Sequence, residues 1–386
     1  MPRLLIVGAL LLIAQVSSKQ CDSNSTGNAV PVVVNGGPTN NAFNQPFVSV
    51  TVCVPGSSTC QTIDGILLDT GSEGLRIVSS ALRIPLPQQA NAAGPVVECL
   101  PFLDSVTWGP VVTADVKLAA EQAAGIPIQV IGTDKFASIP SACSNQGTPQ
   151  ETTDDLFANG ILGIGLGIHD CGIGCASVGA SNPGLYYACP SNGTCQITAQ
   201  PVANQVVSPV AQFAADNNGF VVRLPGVAVG GQSSVSGVLV FGIGTQSNNG
   251  LEDARVFTTD AVGNIRTTFN NQTYPAFLDS GSNGIFFLNS ATTGLPLCRH
   301  SIGFYCPPSI VTLSATQTGN NRNTAVISFG AGNVDVVNAT FSAMGDATGE
   351  NPGGFDWGLP FFYGRSVYVA IVGRSTPGGT GPYWAF

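Results

Sequence analysis

Two stretches of this chain read alike: Ile66-Leu67-Leu68-Asp69-Thr70-Gly71-Ser72-Glu73-Gly74-Leu75 and Ala276-Phe277-Leu278-Asp279-Ser280-Gly281-Ser282-Asn283-Gly284-Ile285. Each is an apolar run that ends in an Asp, turns through Thr/Ser-Gly-Ser and resumes apolar after another Gly. A short apolar run bounded by glycine reads as a buried strand. A carboxylate at the end of such a strand costs free energy unless it is paired or hydrogen-bonded. Taken once, Asp-Thr-Gly-Ser is a turn, because Asp, Gly and Ser are common turn formers. Taken twice, each time after an apolar strand, it predicts that Asp69 and Asp279 are partners.

Composition narrows what surrounds this pair. The chain has 386 residues, of which 44% are hydrophobic and only 9% charged, against about a quarter charged in typical domains. Disorder driven by charge is excluded. The 48 Gly and 26 Pro, with many Ser, Thr, Asn and Val, predict short strands and turns, and few segments keep a helical period. The net charge of −9 reflects scarce Lys and Arg. Nucleic acid is not an expected partner, since phosphate binding needs a basic face. Met1-Pro2-Arg3 followed by apolar Leu4 to Val16 and small Ser17-Ser18 predicts a secretory signal peptide over 1–18. The run is shorter than the ~20 residues of a membrane span, and no other stretch is long enough. Eleven cysteines agree with an oxidising compartment, periplasmic or extracellular. Grouped by proximity, ten give Cys53/Cys60, Cys99/Cys143, Cys171/Cys175, Cys189/Cys195 and Cys298/Cys306, with Cys21 left over as a free thiol or an intermolecular partner; spacing alone does not fix connectivity.

Along the chain, 19–45 reads as a flexible N-terminal segment containing one strand around Val30 to Val34. Phe47 to Cys53 alternates as a half-buried strand does, turns at Pro55-Gly56-Ser57-Ser58 and returns through Gln61 to Leu68, a hairpin that delivers Asp69. The glycines of Gly160-Ile161-Leu162-Gly163-Ile164-Gly165 suggest a dinucleotide loop, but no long helix follows, so that reading is rejected. Residues 168–200 read as a disulfide-pinned insertion. His169-Asp170-Cys171 with Cys175 also fits a zinc ligand set; in a secreted chain a disulfide loop with a surface His is preferred. No Gly-x-Ser-x-Gly nucleophile motif accompanies the only two His, His169 and His300, which disfavours a serine hydrolase. No cofactor or metal is expected. Asn24, Asn192, Asn271 and Asn338 begin Asn-x-Ser/Thr triplets, relevant only in a glycosylating host.

The whole arrangement resembles the pepsin-type aspartic peptidases, in which each of two β lobes contributes one Asp from an apolar-apolar-Asp-Thr/Ser-Gly-Thr/Ser turn. The resemblance covers about residues 45–372. Downstream of each Asp that family carries an apolar-apolar-Gly element crossing behind the catalytic loop. Gly160-Ile161-Leu162-Gly163 and Trp357-Gly358 look like the two copies, and Val238 to Gly242 looks like the strand closing the first lobe. The chain also resembles a family of secreted bacterial proteins of unassigned function. The resemblance implies an all-β, bilobal pepsin-like fold of two pseudo-symmetric lobes, 46–246 and 247–386, with a cleft between them. It implies that Thr70 and Ser280 brace the two loops, and that Ser72 and Ser282 hydrogen-bond the outer carboxylate oxygens. Gly71 and Gly281 would let the backbone turn beneath each acid. Departures fall at Arg76, where the family has Trp, at Trp108-Gly109 in the flap region, where it has Tyr-Gly, and at Glu73, an added carboxylate. All four residues are flap or cleft candidates.

Two carboxylates a few ångströms apart do not both ionise cheaply and share one proton. The charged one takes a proton from water while the protonated one polarises a scissile carbonyl. The expected function is thus a secreted aspartic endopeptidase acting on a peptide or protein substrate, monomeric because both acids lie on one chain, and with no obvious inhibitory prosegment. The alternative is a catalytically inactive pepsin-fold protein that binds peptides or sits at a surface.

Overall fold

A computed structural model describes residues 27–191, 193–337 and 341–386. The signal-peptide expectation, Cys21 and the triplets' Asn24, Asn192 and Asn338 lie outside the described residues. Strands dominate and the helices are single turns, as few charges and frequent Gly and Pro predict.

The first half contains β1 (Ala29–Val34), β2 (Pro46–Cys53), β3 (Cys60–Asp69), β4 (Glu73–Val78), β5 (Gly94–Pro101), β6 (Ser105–Leu118), β7 (Glu121–Ile131), β8 (Gly160–Ile164), β9 (Tyr186–Ala188), β10 (Gly219–Leu224) and β11 (Val235–Phe241). β2 and β3 form the expected hairpin, with Cys53 opposite Cys60 and a disulfide of 2.00 Å between them. β8 runs parallel to β3, Leu162 beside Leu68 and Gly163 beside Asp69, and antiparallel to β4 on its other edge. The strand expected around Val30 to Val34 is present as β1. β1 pairs along its whole length with β11, and Val32 and Val34 are wholly buried.

The second half repeats this plan with β12 (Ile265–Phe269), β13 (Gln272–Leu278), β14 (Ile285–Leu288), β15 (Val311–Thr318), β16 (Thr324–Ala331) and β17 (Asn351–Trp357). Here β17 takes the part of β8: it is parallel to β13, with Trp357 beside Leu278, and antiparallel to β14. Both Asp-bearing loops therefore leave their strands beside a crossing element that carries a glycine, Gly163 within β8 and Gly358 just after β17. Space decides that glycine. A Cβ on Gly163 would lie 2.7 Å from Ser72 Oγ, and one on Gly358 only 2.1 Å from the Gly284 carbonyl oxygen.

The fold is all-β and bilobal, and the lobes share a floor. β18 (Arg365–Ala370) pairs with β10 of the first half and with β19 (Tyr383–Ala385) near the chain's end. One apolar core runs from Val30 through Leu68 and Leu278 to Trp384, so the floor holds both loops in a fixed relation. Five disulfides join the pairs grouped in the sequence. Cys171 and Cys175 are thus joined to each other and are not thiolate ligands for zinc. No helix among the described residues is long and apolar enough to cross a membrane.

Candidate active site

The two repeated loops meet. Thr70 Oγ1 donates to the Leu278 carbonyl at 3.2 Å and accepts the Ser280 N–H at 2.9 Å. Symmetrically, Ser280 Oγ donates to the Leu68 carbonyl at 2.7 Å and accepts the Thr70 N–H at 3.2 Å. Both side chains are buried, so each hydroxyl satisfies a backbone donor and acceptor of the opposite loop. Removing either leaves buried backbone groups unpaired, at about 1–3 kcal/mol. Thr70→Val and Ser280→Ala are each expected to lower the unfolding free energy by that amount, read as a lower urea midpoint with an unchanged m-value. A midpoint within error of wild type would contradict the bracing role.

Above this brace stand the two acids. Gly71 N–H donates to Asp69 Oδ1 at 2.7 Å and Ser72 Oγ to Oδ2 at 2.5 Å. Gly281 N–H donates to Asp279 Oδ1 at 2.8 Å and Ser282 Oγ to Oδ2 at 2.9 Å. Each carboxyl lies against the glycine of the opposite loop, close enough for Asp69 to act on Asp279. Asp69 is buried and Asp279 partly exposed. Burial first, then the charges of Asp69 and Asp356, push the Asp279 carboxyl well above the usual carboxylate range. Gly71 and Gly281 matter for a reason different from the expected tight turn, since neither has a positive φ. A Cβ on Gly71 would sit 2.7 Å from Asp279 Cγ, and one on Gly281 would sit 2.8 Å from Asp69 Oδ1. Each glycine makes room for the opposite acid.

Two further carboxyls flank the pair. Glu73 Oε1 accepts the Gly167 N–H at 2.8 Å; burial raises its pKa to about 7, with Asp69 adding to the rise. Asp356, on β17, was not anticipated. It is 2% exposed, and its Oδ2 lies 2.6 Å from Ser282 Oγ. Burial, and secondarily the charge of Asp69, raises it to about 8. Its Oδ1 has no hydrogen-bond partner. Ser282 thus touches Asp279 and Asp356 with one hydroxyl proton. One of the two short contacts must carry a carboxyl proton, and Asp356 is the acid placed to hold it. A single acid inside the aromatic run Phe355-Asp356-Trp357 is the sequence signal that points to it.

Other expected cleft residues lie elsewhere. Trp108 is 1% exposed and belongs to a satellite core with Cys99, Cys143 and Tyr187; its Nε1 donates to the Phe136 carbonyl at 2.7 Å. Gly109 is a packing glycine, since a Cβ there would fall 1.8 Å from the Val130 carbonyl oxygen. Neither faces a cleft, because a bulky aromatic on β6 is stabilised more by that core than by exposure. Arg76 is fully buried. Its Nη2 reaches Glu98 Oε1 on β5 at 2.8 Å and Asp170 Oδ2 at 3.4 Å, and Asp170 accepts the Tyr186 hydroxyl at 2.7 Å. Burial first, and then Glu98, raises the Asp170 carboxyl well above its ordinary range. Arg76 therefore ties the β5–β6 hairpin and the 168–200 insertion to the strand that follows the Asp69 loop.

Over residues 24–386 the chain matches the model of a family described as "Protein of unknown function (DUF3443)". No curated protein matches. Among solved structures, the crystal structure of an aspartic proteinase from Irpex lacteus is similar at a TM-score of 0.55 and 14% identity, over 92% of this chain and 96% of that one. At this identity the likeness carries the fold, a pepsin-like bilobal architecture.

Proposed function

We propose that this chain, which belongs to the DUF3443 family of proteins of unknown function, is a secreted aspartic endopeptidase. The observation that carries this reading is the close approach of two acids delivered by loops 210 residues apart, each supplied with the same inner N–H and outer hydroxyl. In this reading the two lobes are 46–246 and 247–386. The five disulfides and the lack of a membrane-spanning helix among the described residues agree with an extracytoplasmic protein.

The pair shares one proton. Asp279, raised by burial first and then by Asp69, is assigned it, and Asp69 is assigned the role of base. Water held between them gives a proton to Asp69 as its oxygen attacks the scissile carbonyl carbon. The Asp279 proton passes to the carbonyl oxygen, giving a neutral tetrahedral diol. Collapse breaks the C–N bond: the amine nitrogen takes the proton held on Asp69, and a diol proton returns to Asp279. The hydroxyls beside the pair, Ser72 and Ser282, donate to the outer carboxyl oxygens, so the attacking group is drawn as water and no covalent intermediate is drawn. The test is hydrolysis of a denatured protein by the purified chain, read by mass spectrometry of the new termini, with Asp69→Asn and Asp279→Asn as controls. Equal cleavage by all three proteins would overturn the assignment.

Asp356 sets the alkaline limit in this scheme. While protonated it donates to Ser282, freeing the Ser282 proton for Asp279. When it ionises near pH 8 it competes for that proton and places a charge beside the pair. Asp356→Asn keeps a donor and carries no charge. It is expected to retain activity within about threefold at pH 5–7 and to move the alkaline limb of log kcat upward by roughly one pH unit. An unmoved limb removes Asp356 from the titration.

A further inference from the structure

A cavity of about 480 Å³ lies beside the loop that follows Asp69, lined there by Thr70, Gly71 and Glu73, within the range of ligand pockets. Gly71 forms one edge, and it is the residue whose missing side chain leaves room for Asp279. The walls are apolar: Leu166, Phe277, Val262 and Trp384. The rim at Val262 is held by a short polar loop, in which Asp260 Oδ1 accepts the Val262 and Asn264 N–H groups at 3.0 and 2.8 Å. Among the lining residues Glu73 is the one that titrates.

The Glu73 carboxyl has a fixed position. Its Oε1 is held by Gly167 N–H, and no donor among the described residues is bonded to Oε2. The charged groups that Glu73 feels are Asp69, which disfavours its ionisation, and Arg76, which favours it. Arg76 does not neutralise it, because that guanidinium is committed to Glu98 and Asp170. The result is a slot with apolar sides and one under-compensated acid beside the reacting centre. A purely apolar side chain would fill it and leave the acid desolvated without a partner, a costly outcome. A lysine or arginine matches both parts, with its methylene stem against Phe277 and Trp384 and its cationic head at Glu73.

We propose that this cavity is a specificity pocket for a cationic side chain, so that the substrate is a peptide with Lys or Arg next to the bond that the acids address. The inference rests on the peptidase reading for its use in cleavage, but not for binding. Above pH 7 Glu73 is ionised and attracts the cation. As pH falls below 7 it takes up a proton and the attraction is lost, at a somewhat lower pH once a cation is bound, because the cation favours the carboxylate.

The test uses labelled octapeptides in which Lys is walked through each position, each matched to a norleucine twin that has the stem without the charge. Binding is measured by fluorescence polarisation at pH 8 to the Asp69→Asn protein, which removes turnover, and to Asp69→Asn with Glu73→Gln. At one position Lys is expected to bind at least tenfold more tightly than norleucine. The ratio should fall below about twofold with Glu73→Gln and shrink at pH 5 with Glu73 intact. Norleucine equal to Lys at every position, or a ratio unmoved by Glu73→Gln, overturns the pocket. The same peptides are incubated with wild-type protein. A Lys preference without any cleavage upholds the pocket and sinks the peptidase reading; cleavage without a Lys preference upholds the peptidase and sinks the pocket.

Discussion

Asp69→Asn and Asp279→Asn are each expected to lower kcat/KM on a denatured protein substrate by roughly 10³-fold or more, while leaving the fold intact. Each removes the proton acceptor or the proton donor on which water activation depends, and general acid–base catalysis alone is worth about 10²–10⁴-fold. The pair acts as a unit, so the double variant should lose little beyond either single one. Stability should move the other way. Asp279, Asp356 and Glu73 all have carboxyl pKa values raised by burial in the folded protein. At these three groups the folded state therefore binds protons more tightly than the unfolded chain, and their contribution to stability is greatest below the ordinary carboxylate range. It is lost as pH rises, up to about 7 for Glu73 and about 8 for Asp356, at up to about 1.4 kcal/mol per group per pH unit. Asp279→Asn abolishes one such contribution, so its Tm at pH 7 should equal or exceed that of wild type while activity collapses. A fall in both together would mean that Asp279 is structural.

Arg76→Met is expected to be the most destabilising single change outside the apolar core. Arg76 and Glu98 are wholly buried and Asp170 nearly so. Removing the cation leaves Glu98 and Asp170 facing each other without compensation, at a cost of roughly 3–5 kcal/mol. The deficit should shrink as pH falls, because Asp170, whose carboxyl is raised by burial first and then by Glu98, takes up a proton and the repulsion is relieved. Glu98→Gln combined with Arg76→Met should recover much of the loss, a coupling that a double-mutant cycle measures. Thermal unfolding between pH 4 and 8 reads both effects. A loss below about 1 kcal/mol at pH 7 would show that the network does not anchor the β5–β6 hairpin and the 168–200 insertion.

Much of this was legible because it is local and repeated. The two Asp-Thr/Ser-Gly-Ser turns after apolar strands announce a pair, and the bracing roles of Thr70 and Ser280 come with the resemblance to the pepsin-type peptidases. The crossing elements 160–163 and 357–358 are readable because only glycine fits where their strands pass the loops. Each disulfide joins neighbouring cysteines along the chain, four of them within 8 residues and Cys99–Cys143 across 44. What was hidden depends on distant parts of the chain. Arg76 reads as a cleft residue until Glu98 and Asp170, 22 and 94 residues away, are seen closing around it. Trp108 reads as a flap aromatic because nothing local reveals that Tyr187 and two disulfides build a core over it. Asp356 is conspicuous among aromatics, yet its role appears only when Ser282, 74 residues earlier, is placed between it and Asp279.

The account depends on Asp69 and Asp279 acting together on a tetrahedral centre. A peptide carrying a statine unit presents such a centre as a stable hydroxyl, and its deoxy twin differs by that one group. Calorimetric titration of both into the wild-type protein at pH 5 should give a statine peptide bound at least 10²-fold more tightly, as transition-state mimicry predicts. Equal affinity for the two peptides would mean that the paired acids do not address a hydroxyl at that position, and would contradict the proposed chemistry.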